Sequence, residues 1–356
     1  MKIGLTTDDA LGRDGDVIVW KKTGVGRYAQ ELLDGLRAEG VAVEPIYAKA
    51  PRVPFGDALK HTLAMPYLLR SEAGHFDLIH AASPIMAVAF PLVDRPKVVT
   101  YHDLFPVLYK NTSSPSHTRL FGPLFLRIGR FADKIIANSS QTKEEMVAHL
   151  GIPAERITVV NMGISEVFAL ETRRTKGGHV IGYVGALNRR KALPYLMRAI
   201  RALKASHPEL PAKLVICGEK KLEYDTLVVL ASELGLSQVT EFRGSLTDEE
   251  LVDAYNSFDV FVLPSEWEGF GLPILEAQRC GVPVIIRKDA HIPAEVSKCC
   301  LKASSEEDMA DKMYQLLTNA SLRQETVEQG LEYSQQFTWE RTVQETLEVY
   351  EAALSL

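Results

Sequence analysis

Four cysteines in 356 residues is a low count, and positions 217, 280, 299 and 300 follow no metal-ligand spacing. The adjacent Cys299 and Cys300 are badly placed for a disulfide, so the expectation is reduced thiols in a cytoplasmic compartment rather than a disulfide scaffold or a zinc site. A large charge of one sign is also missing. The net charge is −6, which argues against nucleic acid as the main partner. The first 170 residues carry 19 basic and 18 acidic side chains and the remainder 21 and 28, so the mild acidity lies in the second half. No apolar run approaches the ~20 residues that span a bilayer; the longest, residues 84–93, is interrupted by proline. Met1-Lys2-Ile3-Gly4-Leu5 runs directly into Thr and Asp, so no secretory leader is expected. Neither low complexity nor a short-period repeat is present. What remains is ordinary globular material, 46% hydrophobic and 24% charged. It is longer than one hydrophobic core usually supports, which points to two domains.

The most informative stretch is PSEWEGFGLPILEAQRCGVPVII, from Pro264 to Ile286. The apolar run 260–263 before it reads as a buried strand, and Pro264, Ser265, Gly269 and Gly271 make a turn. Pro273 suits the first turn of a helix, Gly281 ends that helix, and residues 282–286 enter another strand. A strand, glycine-rich loop, helix and strand form one parallel crossover unit. In such sheets ligands lie beyond the carboxyl ends of the strands, where a helix N-terminus offers free N–H groups to an anion. Glu268 and Glu276 bracket the turn with seven residues between them.

The same alternation recurs along the chain. Residues 2–6 read as a first strand. After a polar loop, Gly24-Val25-Gly26-Arg27-Tyr28-Ala29 opens an amphipathic helix through Leu32, Leu33 and Leu36. The spacing imitates the G-x-G-x-x-A dinucleotide fingerprint, but residues 7–23 separate the glycines from the first strand, and 17–20 could be a strand of their own. A backbone cradle for another phosphate or ligand is the expectation. Asp14-Gly15-Asp16 imitates a metal-binding D-x-D, yet no apolar strand leads into it, and a solvated turn is expected. Residues 76–81 and 97–101 read as parallel strands, the second ending at His102-Asp103, a strand tip where ligands bind. Residues 115–134 mix Leu and Phe with Arg119, Arg127 and Arg130; packing on the sheet is the ordinary reading, and peripheral contact with the inner membrane face the alternative. Ser139 or Ser140 caps a helix with Glu144 and Glu145 expected in its first turn, and 162–178 reads as a linker. From Val180 the pattern restarts: a strand to Val184, a loop through Gly185 to Arg190-Lys191, a helix, then further strands and helices to Leu354.

Arg190 and Lys191 at a strand-to-helix turn, with a glycine-rich helix start in the same sheet, would hold a diphosphate. A nucleoside diphosphate is already a good leaving group. It needs fixed positive charge where negative charge develops, and this arrangement supplies that without a metal. Two carboxylates remain for sugar hydroxyls.

Taken together these residues resemble the retaining nucleotide-sugar glycosyltransferases of family 4, the "group 1" family, whose fold is α/β GT-B: two Rossmann-like parallel-sheet domains facing across a cleft. The similarity runs from Gly24-Val25-Gly26-Arg27-Tyr28 through His102-Asp103, Asn138-Ser139, Gly185…Arg190-Lys191 and Glu268-Gly269-Phe270-Gly271-Leu272-Pro273…Glu276 to Phe337-Thr338-Trp339-Glu340. The resemblance implies an acceptor domain over residues 1–165, joined by a returning C-terminal helix over 338–356, and a donor domain over 177–337. It implies that Arg190 and Lys191 neutralise the donor diphosphate, that Glu268 lies near the donor sugar, and that Glu276 binds the ribose. Backbone N–H groups around Phe270, Gly271 and Leu272 would meet phosphate, Gly185 would adjoin the donor, and Gly244-Ser245-Leu246 would lie by the base. His102 would approach the transferred sugar, and Gly24, Gly26 and Arg27 would form an acceptor or phosphate loop.

The implied activity is metal-independent, retaining transfer of a hexose from a nucleotide sugar to a glycan, lipid-linked or small-molecule hydroxyl, with no cofactor. GDP-mannose is slightly favoured and UDP-sugars come next, which would suit a mannosyltransferase of polysaccharide biosynthesis. Ala192 and Cys299-Cys300 depart from the family pattern without touching these groups. A sugar-nucleotide epimerase and a non-catalytic nucleotide-sugar-binding subunit are the alternatives.

Overall fold

The computed structural model describes residues 1–7, 10–14, 17–20, 23–47, 63–108, 126–171, 179–220 and 223–356. These residues fall into two compact units, Met1–Gly163 with Phe337–Leu356, and Ile164–Gln336.

In the first unit β1 (Lys2–Thr6), β4 (Ala42–Ile46), β5 (Leu78–Ala81), β6 (Lys97–Tyr101), β7 (Lys134–Ala137) and β8 (Ile157–Val159) form one sheet in the order β4-β1-β5-β6-β7-β8. All its pairings are parallel. The strands are short apolar runs because both faces of the sheet are covered. Between β1 and the glycine-rich helix, β2 (Ala10–Asp14) and β3 (Val17–Trp20) pair as an antiparallel hairpin. This hairpin occupies the loop that separates the glycines from β1, and a dinucleotide fingerprint needs that loop to be absent.

Helix α1 (Gly24–Ala38) begins where the Thr23 side chain accepts the Gly26 N–H at 2.9 Å. It buries Tyr28, Ala29, Leu32, Leu33 and Leu36, the stripe that the 3.6-residue period prescribes. Helix α2 (Met65–Glu72) precedes β5. Helix α3 (Ser140–Glu145) is capped by Ser139, whose hydroxyl accepts the Thr142 N–H at 3.1 Å. That start places Glu144 and Glu145 in the second turn, not the first as expected. Of residues 115–134, 115–125 lie outside the described residues; short helical turns then run to Phe131, and Lys134 is already in β7.

The second unit repeats the architecture. β9 (His179–Val184), β10 (Ala212–Cys217), β11 (Thr240–Gly244), β12 (Val260–Leu263), β13 (Val284–Arg287) and β14 (Leu301–Ala303) form a parallel sheet in the order β11-β10-β9-β12-β13-β14. Its longer helices are α4 (Leu193–Ser206), α5 (Tyr224–Glu233), α6 (Asp248–Ser257), α7 (Leu272–Arg279), α8 (Glu306–Thr318) and α9 (Ala320–Ser334). The chain order reverses between β9 and β12, the topological switch point at which such sheets bind ligands. The expected linker is partly structural. Ile164 and Phe168 are buried, Asn256 Nδ2 donates to the Ala169 carbonyl at 3.1 Å, and the Glu171 N–H donates to Asn256 Oδ1 at 2.9 Å. Residues 172–178 lie outside the described residues.

Helix α10 (Trp339–Leu354) belongs to the first unit. Thr342 donates to the Asn161 carbonyl at 2.8 Å, and the Tyr350 hydroxyl shares a hydrogen bond with His80 Nδ1 at 2.7 Å. A Cβ on Gly163 would lie 2.5 Å from the Trp339 backbone nitrogen, so the close approach of α10 requires glycine there.

Candidate active site

The switch point brings together three of the expected residues. β9 is followed by Gly185, whose φ of +150° suits glycine, and the chain then reaches a short 3₁₀ turn, Arg189–Lys191. β12 ends in the loop that carries Glu268. Lys191 Nζ lies 2.6 Å from Glu268 Oε1, and Arg190 Nη1 lies 3.3 Å from Oε2. Arg190 also donates to the Trp267 carbonyl at 2.7 Å and stacks its guanidinium 5.5 Å from the centre of that ring. The Glu266 N–H donates to the Arg190 carbonyl at 3.0 Å, which ties the two loops by backbone as well.

Lys191 and Glu268 are buried, at 6% and 5% exposure. Burial would raise the Glu268 carboxyl, but Lys191 and Arg190 outweigh it and hold the group below its ordinary value. Burial, helped by Arg190 and opposed by Glu268, lowers Lys191. Two cations thus face one carboxylate at the carboxyl end of β9 and β12.

Gly271, at φ +103°, is the N-cap residue immediately before α7, and a Cβ there would sit 3.9 Å from Glu268 Cβ. The start of α7 is therefore beside the ionic cluster. No acidic side chain occupies its first turn and no side chain caps it, so its N–H groups and positive dipole end are not neutralised by the helix's own residues. Phe270 is buried and Leu272 opens the helix. Glu276 lies in the second turn at 4% exposure and accepts a 2.7 Å hydrogen bond from the Tyr255 hydroxyl. Gly244 ends β11 at φ +81°, with exposed Ser245 and half-buried Leu246 before the capping box of α6.

The remaining expected residues belong to the first unit. Gly24 and Gly26 lie in the first turn of α1, where a Cβ on Gly24 would meet nothing within 4 Å. Arg27 is next in the chain. That first turn carries Arg27 and no acidic side chain, and Thr23 caps it. His102, at the tip of β6, donates from Nε2 to the Ala82 carbonyl at 2.8 Å and stands edge-on to Tyr28 at 4.8 Å. Burial pushes its imidazole down to about 4, so the ring is neutral near pH 7 and Nδ1 is left as an acceptor.

Among the described residues no group of three or more His, Cys, Asp or Glu is arranged to hold a metal ion. Asp14 ends β2, while Gly15 and Asp16 lie outside the described residues.

Three participants are not apparent from the sequence. Tyr183, fully buried, donates to the Ala186 carbonyl at 3.0 Å and props the turn after β9. His291 exchanges backbone bonds with Glu266 and Glu268 at 2.8 and 2.9 Å. Arg287 forks onto Asp289 at 2.6 and 3.0 Å and covers the Tyr195 ring at 4.6 Å. None sits in a motif, and only the strand-end position of Arg287 could have marked it.

Known proteins share both the sequence pattern and the fold. The family described as glycosyl transferases group 1 matches residues 169–333, and that described as glycosyltransferase family 4 matches residues 22–168. A D-inositol 3-phosphate glycosyltransferase of Corynebacterium jeikeium is 30% identical over 313 residues, covering 79% of this chain and 74% of that one. The enzyme of the same name from Nocardiopsis dassonvillei is 29% identical, covering 92% and 89%. Among solved structures, sucrose-phosphate synthase from Thermosynechococcus elongatus superposes with a TM-score of 0.79 at 19% identity over 99% of both chains. Anabaena Alr3699/HepE in complex with UDP-glucose superposes with a TM-score of 0.72 at 19% identity over the full length of both. These structural likenesses are to the two-domain GT-B fold.

Proposed function

The chain belongs to the group 1, family 4 glycosyltransferases, and from that premise we propose that it takes a nucleotide-sugar donor and transfers a hexose with retention of anomeric configuration and without an essential metal. The observation that carries this reading is the Arg190–Lys191–Glu268 cluster at the switch point of the second sheet, beside the start of α7. When the bond between C1 and the β-phosphate oxygen breaks, negative charge accumulates on the diphosphate. Arg190, Lys191 and the α7 N-terminus would offset it, each charged donor contributing roughly 10²–10³-fold to the rate. The acceptor oxygen would bond to C1 from the face that the diphosphate leaves, its proton passing to the departing phosphate oxygen.

Glu268, held ionised, would accept a hydrogen bond from a donor-sugar hydroxyl, and Glu276 would accept from the ribose. Phe270, Gly271 and Leu272 would present backbone N–H groups to phosphate, and Gly244, Ser245 and Leu246 would border the base. His102 would offer Nδ1 to a sugar hydroxyl. Gly24, Gly26 and Arg27 would receive the acceptor, and a phosphorylated one suits the charge there. The curated relatives are named for D-inositol 3-phosphate. GDP-mannose is suggested by the resemblance of His102-Asp103 and Arg190-Lys191, whereas the Anabaena structure is titled with UDP-glucose. Both donors belong in the test.

That test supplies GDP-mannose, UDP-glucose and related donors with inositol phosphate, glycan and lipid-linked acceptors in EDTA. The product's anomeric configuration is then read by NMR. Transfer with the donor's anomeric configuration is expected. An inverted product, or activity only on adding a divalent cation, would contradict the mechanism.

A further inference from the structure

Glu276 is a carboxylate at 4% exposure, and a buried carboxylate must be compensated by donors if it is to stay charged and fixed. The donor seen at its Oε2 is the hydroxyl of Tyr255, 2.7 Å away, from a different helix. The ring behind that hydroxyl is fully buried. It is held by edge contacts to Phe168, Phe258 and Phe261 at centroid distances of 5.8, 6.0 and 5.6 Å. Phe261 lies in β12, which leads into the site loop. Phe168 lies in the segment that Asn256 pins to the end of α6. Each neighbour therefore fixes where the phenol oxygen points.

We propose that Tyr255 is the positioning residue for ribose recognition: its hydroxyl occupies Oε2 of Glu276, fixes the carboxylate plane, and directs the remaining acceptor capacity to the ribose hydroxyls of the donor. This rests on the assignment of Glu276 to the ribose. Burial and the adjacent Glu276 raise the Tyr255 hydroxyl well above its ordinary value, so it remains a donor throughout the working pH range. A carboxylate can accept several hydrogen bonds, so engagement of one oxygen by a fixed phenol restricts the side chain without exhausting it. A tyrosine serving only the core would affect stability and leave ribose selectivity alone. A positioning tyrosine must affect selectivity.

The experiment compares kcat/KM for the working nucleotide sugar with that for its 2′-deoxy and 3′-deoxy ribose analogues, in wild type, Tyr255→Phe, Glu276→Gln and the double variant. The wild type is expected to prefer the intact ribose, and Tyr255→Phe to narrow that preference roughly tenfold, the worth of one well-placed hydrogen bond. The narrowing should come mainly through KM. In the Glu276→Gln background, adding Tyr255→Phe should narrow the preference no further, because the phenol acts through the carboxylate. Should Tyr255→Phe fold poorly, Phe168→Leu, which loosens the seat of the ring while keeping its hydroxyl, is measured in its place and should narrow the same preference; an unchanged preference there overturns the role of Tyr255. Full wild-type preference in Tyr255→Phe, or an equal further narrowing in the Gln background, overturns the role of Tyr255. Absence of any ribose preference in the wild type instead overturns the assignment of Glu276, and the inference falls with it.

Discussion

Glu268 remains ionised at 5% exposure because Lys191 and Arg190 are within hydrogen-bond range, and the three residues stand or fall together. Removing one member of a buried ion pair strands the other, typically at a cost of about 3–5 kcal/mol. Lys191→Met is expected to lower stability by on the order of 3 kcal/mol, seen as a lower urea midpoint; an unchanged midpoint would show that Arg190 alone suffices. The depressed Glu268 carboxyl also sets a pH dependence. Its stabilising contribution is full above the unfolded value of about 4.3 and is lost as pH falls from there through the lower folded value. Urea midpoints measured from about pH 5 downward should fall more steeply in the wild type than in Glu268→Gln, the difference being the Glu268 contribution. Arg190, Lys191 and Glu268, which the structure brings together, could be picked out because charged groups that flank glycines at strand ends are poorly suited to packing and well suited to ligands. Tyr255 could not, since a tyrosine beside a buried strand reads as core, and its partner lies 21 residues away on another helix.

At the scale of elements, the turns of the site depend on missing side chains. A Cβ on Gly218, after β10, would lie 2.1 Å from the Gly185 carbonyl oxygen, a backbone atom that cannot yield without shifting the turn that leads to Lys191. Gly218→Ala is therefore expected both to destabilise the protein and to weaken nucleoside diphosphate binding by at least roughly tenfold, the effect of about 1.4 kcal/mol. Calorimetry would measure it, and binding at wild-type strength would show that the turn adapts. Helix α7 could be anticipated from Pro273 and Gly281, and α10 from its apolar spacing. Helix α9 could not. Its buried positions are Thr326, Gly330 and Ser334, small residues that pack closely, with Gly330 against Gln278, and leave no hydrophobic stripe to recognise. The β2–β3 hairpin was visible only as a short apolar segment, because nothing local specifies the partner strand.

Over the whole molecule, two parallel-sheet units were readable from the repeated strand–loop–helix pattern, and the final helix returns to the first unit. Its anchor is a buried chain: Tyr28 and His80 both reach the Thr100 hydroxyl, at 2.9 and 2.8 Å, and His80 reaches Tyr350. These partners are far apart in sequence, so local patterning carries no trace of them. Tyr350→Phe should cost about 1–3 kcal/mol by leaving a buried ring nitrogen without its partner, measurable as a lower urea midpoint, while an unchanged midpoint would show the bond to be dispensable. Burial, aided by His102, pushes His80 down to about 3. Its contribution is full above the ordinary value near 6.5 and falls by about 1.4 kcal/mol per pH unit below it until the folded value is reached, so that loss should begin at higher pH than the one due to Glu268.

The most direct test of the donor site is slow hydrolysis of a nucleotide-sugar panel, with EDTA present, by the wild type, Lys191→Ala and Glu276→Ala. Turnover of one donor by the wild type, lost in both variants, is the predicted result. Turnover that survives in both variants, or a wild type that neither binds nor turns over any nucleotide sugar, would contradict it.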